Sequence, residues 1–102
     1  MGETSLEIKI RPGIPPDDRH RIEDALGENG LDVAGGGGYA DGSESDIMAY
    51  TSNVRTDLPV VVRILRKAKI GDASCIIQGG KHEHSVYGEL EFVDPKPWWK
   101  FW

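Results

Sequence analysis

The sequence of 102 residues predicts a single α+β domain in which two helices cover one face of an antiparallel sheet. Three observations lead to this prediction. Short segments alternate apolar and polar side chains, as strands with one buried face do. Two longer segments carry apolar residues at a spacing of three or four, which indicates amphipathic helices. The segments follow one another in the order strand, helix, strand, strand, helix, strand, strand.

The first strand and the first helix have clear signals for where they begin and end. Residues 6–10 alternate apolar and charged side chains, and Pro12 ends this strand. The helix is expected to begin at Pro16, because proline suits the first helical position. Its short apolar stripe consists of Ile22, Ala25 and Leu26. We expect Gly30 just beyond its end, in the left-handed conformation with which many helices finish.

Residues 31–52 predict a β-hairpin whose two-residue turn is Asp41-Gly42. That turn places three pairs opposite one another: Val33 and Tyr50, Gly35 and Met48, and Gly37 and Asp46. Both faces of the hairpin are partly apolar, so the pattern leaves open which face meets the helices. The glycines at 35–38 favour a β-bulge over the alternative, a close approach by another backbone or a ligand.

The second helix is expected to be capped by Thr56 or Asp57, since both side chains can accept a hydrogen bond from the first turn. Pro59 then lies in that first turn, and Gly71 lies just beyond the helix end. The buried stripe of this helix consists of Leu58, Val61, Val62, Leu65 and Ala68.

A last hairpin joins strands at residues 73–78 and 82–92 through the turn Gly79-Gly80. The first six elements match the split βαβ, or ferredoxin-like, arrangement, and the last strand adds to its sheet. That fold hosts many unrelated functions, so it does not identify one. We expect residues 1–94 to form the domain and residues 95–102 to form an aromatic tail after a proline-rich break.

The charge of the chain is acidic overall but differs between its halves. The formal net charge is −5; residues 1–50 carry 4 basic and 11 acidic groups (−7), and residues 51–102 carry 8 and 6 (+2). An acidic surface repels phosphate, which makes nucleic acid an unfavourable partner. The second helix, with Arg63, Arg66 and Lys67, presents basic groups to an acidic partner or forms an ordinary solvated helix face.

The single cysteine and the lengths of the apolar runs indicate a compartment. Cys75 has no second cysteine with which to form an internal disulfide, which favours a reducing environment. No apolar run approaches the length that spans a membrane. The sequence therefore predicts a cytoplasmic protein without a membrane span.

One possible chemical site depends on the register of the last hairpin. With Gly79-Gly80 as the turn, Cys75 lies opposite His84, and His82 lies nearby on the same side. A thiolate and two imidazoles suit zinc or copper, and a cysteine with a histidine also suits nucleophilic catalysis. The alternative is that Cys75 is a small buried residue and the two histidines lie near water at the hairpin tip.

The end of the sequence is unusually aromatic. Of 8 aromatic residues, four lie in the last five positions: Trp98, Trp99, Phe101 and Trp102. Such a cluster has more apolar surface than soluble monomers usually leave bare. Either the sheet of the same chain covers it, or a protein partner or second copy does; a membrane interface is a weaker third alternative because a single lysine accompanies the rings.

No catalytic triad, cofactor fingerprint or carboxylate pair at a recognisable spacing occurs in the sequence. We therefore expect a small non-enzymatic binding or regulatory domain without a cofactor, whose partner is another protein or a second copy of the chain. The alternative is a small zinc- or copper-binding protein or enzyme that uses Cys75, His82 and His84.

Overall fold

The computed structural model describes residues 3–38 and 41–88. Within these ranges the elements follow the predicted order: β1 (Thr4–Ile10), α1 (Pro16–Glu28), β2 (Asp32–Gly38), β3 (Ser45–Thr51), α2 (Val54–Lys67), β4 (Cys75–Gln78) and β5 (His82–Ser85). The strands form one sheet in the order β2-β3-β1-β4-β5, and neighbouring strands run antiparallel. The predicted α+β class, with an antiparallel sheet and two helices, is confirmed.

The central strand, β1, separates its side chains onto two faces of the sheet. Leu6, Ile8 and Ile10 are fully buried, whereas Glu7 and Lys9 between them are half-buried. The buried side faces α1 and α2, which contact each other and contribute to the same core. We call this side the helix face, and the side of Glu7 and Lys9 the outer face.

The core of the described residues is aliphatic. Burial of each large aliphatic side chain contributes about 1.5–3 kcal/mol to the free energy of unfolding. The buried cluster consists of Leu6, Ile8, Ile10, Ile22, Leu26, Leu31, Ile47, Ala49, Leu58, Val61, Val62, Leu65, Ile70, Ile76 and Val86. Among the described residues, this buried cluster contains no aromatic ring.

The first helix matches its predicted start and end, but Ala25 of its predicted stripe is only half-buried. α1 begins at Pro16, and its buried residues are Ile22 and Leu26. Gly30 follows it with a φ of +89°, the left-handed conformation that was expected there. Proline at the start and glycine past the end are therefore reliable signals for this helix.

The second helix begins earlier than predicted. α2 starts at Val54, and Asn53 is its N-cap residue: the Asn53 Oδ1 accepts a hydrogen bond from the Thr56 amide at 3.3 Å. The prediction that Thr56 or Asp57 caps the helix is wrong, because both residues lie inside the helix that Asn53 caps. The Asp57 carboxylate accepts a hydrogen bond from the Thr51 hydroxyl instead.

The end of α2 also differs from the prediction. The helix buries Leu58, Val61, Val62 and Leu65 as expected. Ala68, predicted to be buried, is exposed and follows the last helical residue, Lys67. Lys69 itself takes a left-handed φ of 57°, so Gly71 is not what ends the helix. Gly71 is instead required for a close approach, since a Cβ there would clash with the carbonyl of Arg11.

The first hairpin contains the expected bulge. The register shifts between Val33 and Gly35. Beyond this bulge the predicted pairs Gly35–Met48 and Gly37–Asp46 are confirmed. The predicted pair Val33–Tyr50 is wrong, because the bulge places Val33 opposite Ala49. The alternating burial of β3 shows which face meets the helices: Ile47, Ala49 and Thr51 are buried on the helix face, where Ile47 and Ala49 pair with Ile8 and Leu6 of β1. Among the described residues, the last pair before the predicted turn is Gly38–Ser45.

The second hairpin has a register one residue away from the prediction. Gly79 and Gly80 both have positive φ, and the Lys81 amide donates to the Gln78 carbonyl at 3.1 Å. Pairing begins only at Gln78–His82, so Lys81 is an extra residue in the connection. The predicted long strand over 82–92 is wrong in its described part, since β5 ends at Ser85.

Candidate functional site

The three predicted metal or nucleophile residues do not share one face of the sheet. Because the register differs by one residue, Cys75 lies opposite Lys9 and Ser85 on the outer face, whereas His82 and His84 lie on the helix face. In the described part of the chain, no group of three or more His, Cys, Asp or Glu side chains is placed to hold a metal ion.

The Cys75 thiol lies in a poor environment for reactivity. It is buried and forms no disulfide. Burial raises the pKa of the thiol above its ordinary value, and the thiolate is the form that attacks or binds a metal. The zinc or copper site and the cysteine–histidine pair therefore stay predictions that this geometry does not favour.

The predicted basic surface of α2 includes one residue with a structural role. The Arg66 Nε donates to the Val86 carbonyl at 2.8 Å, and its Nη2 donates to the Gly88 carbonyl at 3.0 Å. Arg63 and Lys67 are exposed. Of the three residues, Arg66 holds the chain that follows β5, and the other two present their charges to the surroundings.

An apolar groove of about 520 Å³ lies between α1 and α2. Its apolar lining consists of Ile14, Ile22, Ala25, Ile64, Ala68 and Ile70. Its charged lining residues are Arg21, Lys67, Lys69 and Asp18. Mostly apolar walls with a few polar groups are the usual composition of a binding site in a protein.

The groove exists because small residues stand where the helices face each other. Ala25 on α1 and Ala68 at the end of α2 both line it, and a longer side chain at either position would fill part of the space. The sequence pattern places both alanines in the apolar stripes of their helices, and this pattern does not predict the groove. The available signal was an alanine in each stripe where a larger aliphatic residue would be expected to close the contact.

A pair of carboxyl groups lies on the outer face, where Glu44 is buried and Asp46 is half-buried. Glu44, which is 7% exposed, receives a hydrogen bond from the Arg11 Nε at 2.7 Å, and the Lys9 Nζ lies 3.6 Å from its Oε2. The Glu44 Oε2 and the Asp46 Oδ1 are both buried without a hydrogen-bond partner among the described residues. Glu44 immediately precedes β3 and Asp46 is its second residue, so the sequence places the two carboxyl groups close together but does not predict their environment.

The two carboxyl groups differ in pKa. The hydrogen bond from Arg11 lowers the pKa of Glu44 below its ordinary value. Burial and the neighbouring Glu44 raise the pKa of Asp46. Asp46 is therefore the member of the pair that takes up a proton more readily, and Glu44 is the member that keeps its charge beside Arg11.

A shallower cleft of about 420 Å³ adjoins this pair at the glycine-rich strand β2. Its lining includes Gly35, Gly37, Asp46, Met48 and Glu7. A Cβ at Gly35 or Gly37 would have no neighbour within 4 Å, so the strand backbone is open there.

The predicted tail and domain boundary lie outside the described residues. This applies to Trp98, Trp99, Phe101 and Trp102 and to the boundary at residue 94. Among the helices of the described residues, none is long and apolar enough to cross a membrane. Comparisons of the chain with protein-family models, curated proteins and solved structures find no match.

Proposed function

We propose that this protein is a small non-enzymatic binding domain and that the groove between α1 and α2 is its binding surface. The observation that carries the proposal is the composition of the groove, whose apolar walls are accompanied by three cations and one carboxylate. A protein segment with bulky apolar side chains and carboxylates matches both properties. A second copy of the chain belongs to this class of partners, because residues 1–50 carry a net charge of −7.

The environment of Glu44 supports a non-enzymatic role. Arg11 and Lys9 already compensate the charge of Glu44, so this carboxylate is engaged within the sheet. Catalytic carboxylates instead need to reach a substrate atom. The cytoplasmic location expected from the single cysteine remains part of the same proposal.

The finer fold class within this proposal is ferredoxin-like. The strand order β2-β3-β1-β4 supports it, because the split βαβ arrangement places the first strand between the third and the fourth. β5 then extends the sheet beside β4. In this arrangement both helices cover one face, which is what creates a groove between them.

The binding proposal can be tested with anilinonaphthalene sulfonate (ANS), an apolar dye that carries one negative charge. Ala68→Glu places bulk and negative charge in the groove at an exposed position, so the fold should persist. The matched control is Thr56→Glu, an exposed site on α2 that makes the same change in charge away from the groove lining. We expect Ala68→Glu to weaken ANS binding by about tenfold, or about 1.4 kcal/mol. Equal affinities in the two variants would contradict the proposal.

A further inference from the structure

The two helices carry opposite charges on their exposed surfaces. On α1 the exposed charged residues are four carboxylates and one cation, which gives a net charge of −3: Asp17, Asp18, Arg21, Asp24 and Glu28. On α2 the exposed charged residues are four cations, which gives +4: Arg55, Arg63, Arg66 and Lys67. The helix layer, by which we mean α1 and α2 together, therefore has an acidic half beside a basic half.

Interactions within each helix do not account for this separation of charge. Asp24 and Glu28 on α1 are like charges four residues apart, and so are Arg63 and Lys67 on α2. Such pairs repel each other and destabilise a helix. Glu28 also lies in the last turn of α1, where the partial negative charge of the helix end disfavours a carboxylate. An oppositely charged surface packed on each helix would replace this repulsion with attraction.

A second copy of the chain supplies both of the required surfaces. The strand directions make α1 and α2 run in opposite directions, and Asp18 near the start of α1 lines the same groove as Lys67 at the end of α2. A two-fold axis parallel to the helices, between two facing helix layers, places α1 of each copy on α2 of the other. Asp17 of one copy and Lys67 of its partner then lie at the same end of the interface.

The groove between α1 and α2 provides the apolar centre of such an interface. Ala25 and Ile64 are half-buried, Ala68 is exposed, and all three line the groove. When the two grooves face each other, these apolar residues lie in the middle and the charged residues lie around them. An apolar centre with a polar rim is the usual composition of a protein–protein interface.

The size of the helix layer indicates how strong the association is. Helices of 13 and 14 residues are about 20 Å long, and two of them side by side are about 20 Å wide. The layer therefore offers about 400 Å² per copy, less than the roughly 800 Å² per partner of stable complexes. We expect a weak and reversible dimer.

We propose that two copies of this chain associate through their helix layers, with α1 of each copy on α2 of the other, so that each groove covers its counterpart. This inference rests on the proposed function, since it names a second copy as the partner at the same groove. Added salt screens charges at the rim of an interface. Dilution or higher salt therefore separates the copies and uncovers the grooves.

The test reverses the charges of one predicted contact and measures the dimer dissociation constant by sedimentation from micromolar to millimolar protein. Lys67→Glu and Asp17→Lys should each weaken the dimer by about tenfold, because the symmetry repeats the lost contact twice. The matched control is Lys81→Glu, which makes the same change in charge at an exposed position between β4 and β5. We expect this control to dimerise like the unsubstituted protein.

The variant that combines Lys67→Glu with Asp17→Lys should recover the affinity of the unsubstituted protein, because it restores an opposite pair with the order of charges reversed. Circular dichroism of each variant verifies that the helices persist. A combined variant no tighter than the single variants would overturn the inference. A dimer whose dissociation constant neither single variant changes would overturn it too, since another surface then forms that dimer.

ANS binding separates failure of this inference from failure of the proposed function. If the chain is monomeric at every concentration while Ala68→Glu still weakens ANS binding, the dimer inference fails and the groove keeps its binding role. If the chain is monomeric and Ala68→Glu leaves ANS binding unchanged, the proposed function fails as well.

Discussion

Glu44 and Asp46 bury two carboxyl oxygens, Oε2 and Oδ1, that find no hydrogen-bond partner among the described residues. Arg11 lowers the pKa of Glu44, whereas burial and Glu44 raise that of Asp46. A proton on Asp46 lets it donate to the Glu44 oxygen, which satisfies both atoms. The pair therefore costs stability whenever Asp46 is ionised.

Asp46→Asn should stabilise the protein at neutral pH. An amide N–H can donate to the Glu44 Oε2 without taking up a proton, so we expect the free energy of unfolding to rise by about 1 kcal/mol. Denaturant unfolding of the variant and the unsubstituted protein measures this difference. A loss of stability would show that the ionised Asp46 has a favourable partner.

The advantage of Asp46→Asn should depend on pH. Because the pKa of Asp46 is raised in the folded state, this residue contributes stability that is fully present below its ordinary value of 3.8. That contribution is lost as the pH rises through the folded-state pKa. The difference between variant and unsubstituted protein should therefore widen over that window and stay constant above it. A difference that is independent of pH would rule out this linkage.

Gly36→Ala should destabilise the sheet, whereas Gly37→Ala should not. A Cβ at Gly36 would clash with the backbone carbonyl of Asp46 and would lie 2.8 Å from the Glu23 Oε2 of α1. We expect a loss of about 1–3 kcal/mol from this overpacking. A Cβ at Gly37 would meet nothing within 4 Å, which makes it the matched control in thermal unfolding. Similar melting temperatures for both variants would contradict the described packing of α1 on β2.

Arg66→Ala should release the chain that follows β5. The side chain makes hydrogen bonds to the carbonyls of Val86 and Gly88, so its loss should cost about 1 kcal/mol and speed amide hydrogen exchange at residues 86–88. Arg63→Ala is the control on the same helix, because Arg63 is exposed. Equal exchange rates in the two variants would mean that Arg66 does not hold this segment.

Zinc should not bind in a stoichiometric amount at the second hairpin. Cys75 lies on the outer face, whereas His82 and His84 lie on the helix face. Dialysis of chelator-free protein against zinc, followed by elemental analysis, measures the bound metal. One zinc per chain that disappears in His84→Ala would instead restore the metal-binding alternative.

Much of the fold follows from local signals in the sequence. Period-two alternation predicts β1, and Pro16 with Gly30 predicts the limits of α1, because these features act through neighbouring residues alone. The hairpin at Gly79-Gly80 shows where this fails. The turn residues are correct, but one additional residue, Lys81, changes the register and reverses the face of every side chain beyond it.

The candidate site depends on contacts that sequence patterns do not contain. Ala25 and Ala68 lie far apart in the sequence, and the space between them exists only when α1 and α2 come together. The Glu44–Asp46 pair is local, but its environment depends on Lys9 of β1 and on Arg11, which follows β1. Tertiary packing therefore determines both features, while the sequence supplies only the residue types.

We propose that partners bind in the groove between α1 and α2. The most direct test is to titrate ANS into isotope-labelled full-length protein and follow backbone amide chemical shifts. We expect the largest shifts at Ala25, Ile64 and Ala68 and little change at Asp46 and Met48 on the outer face. Shifts concentrated at Asp46 and Met48, or no localised shifts, would contradict it.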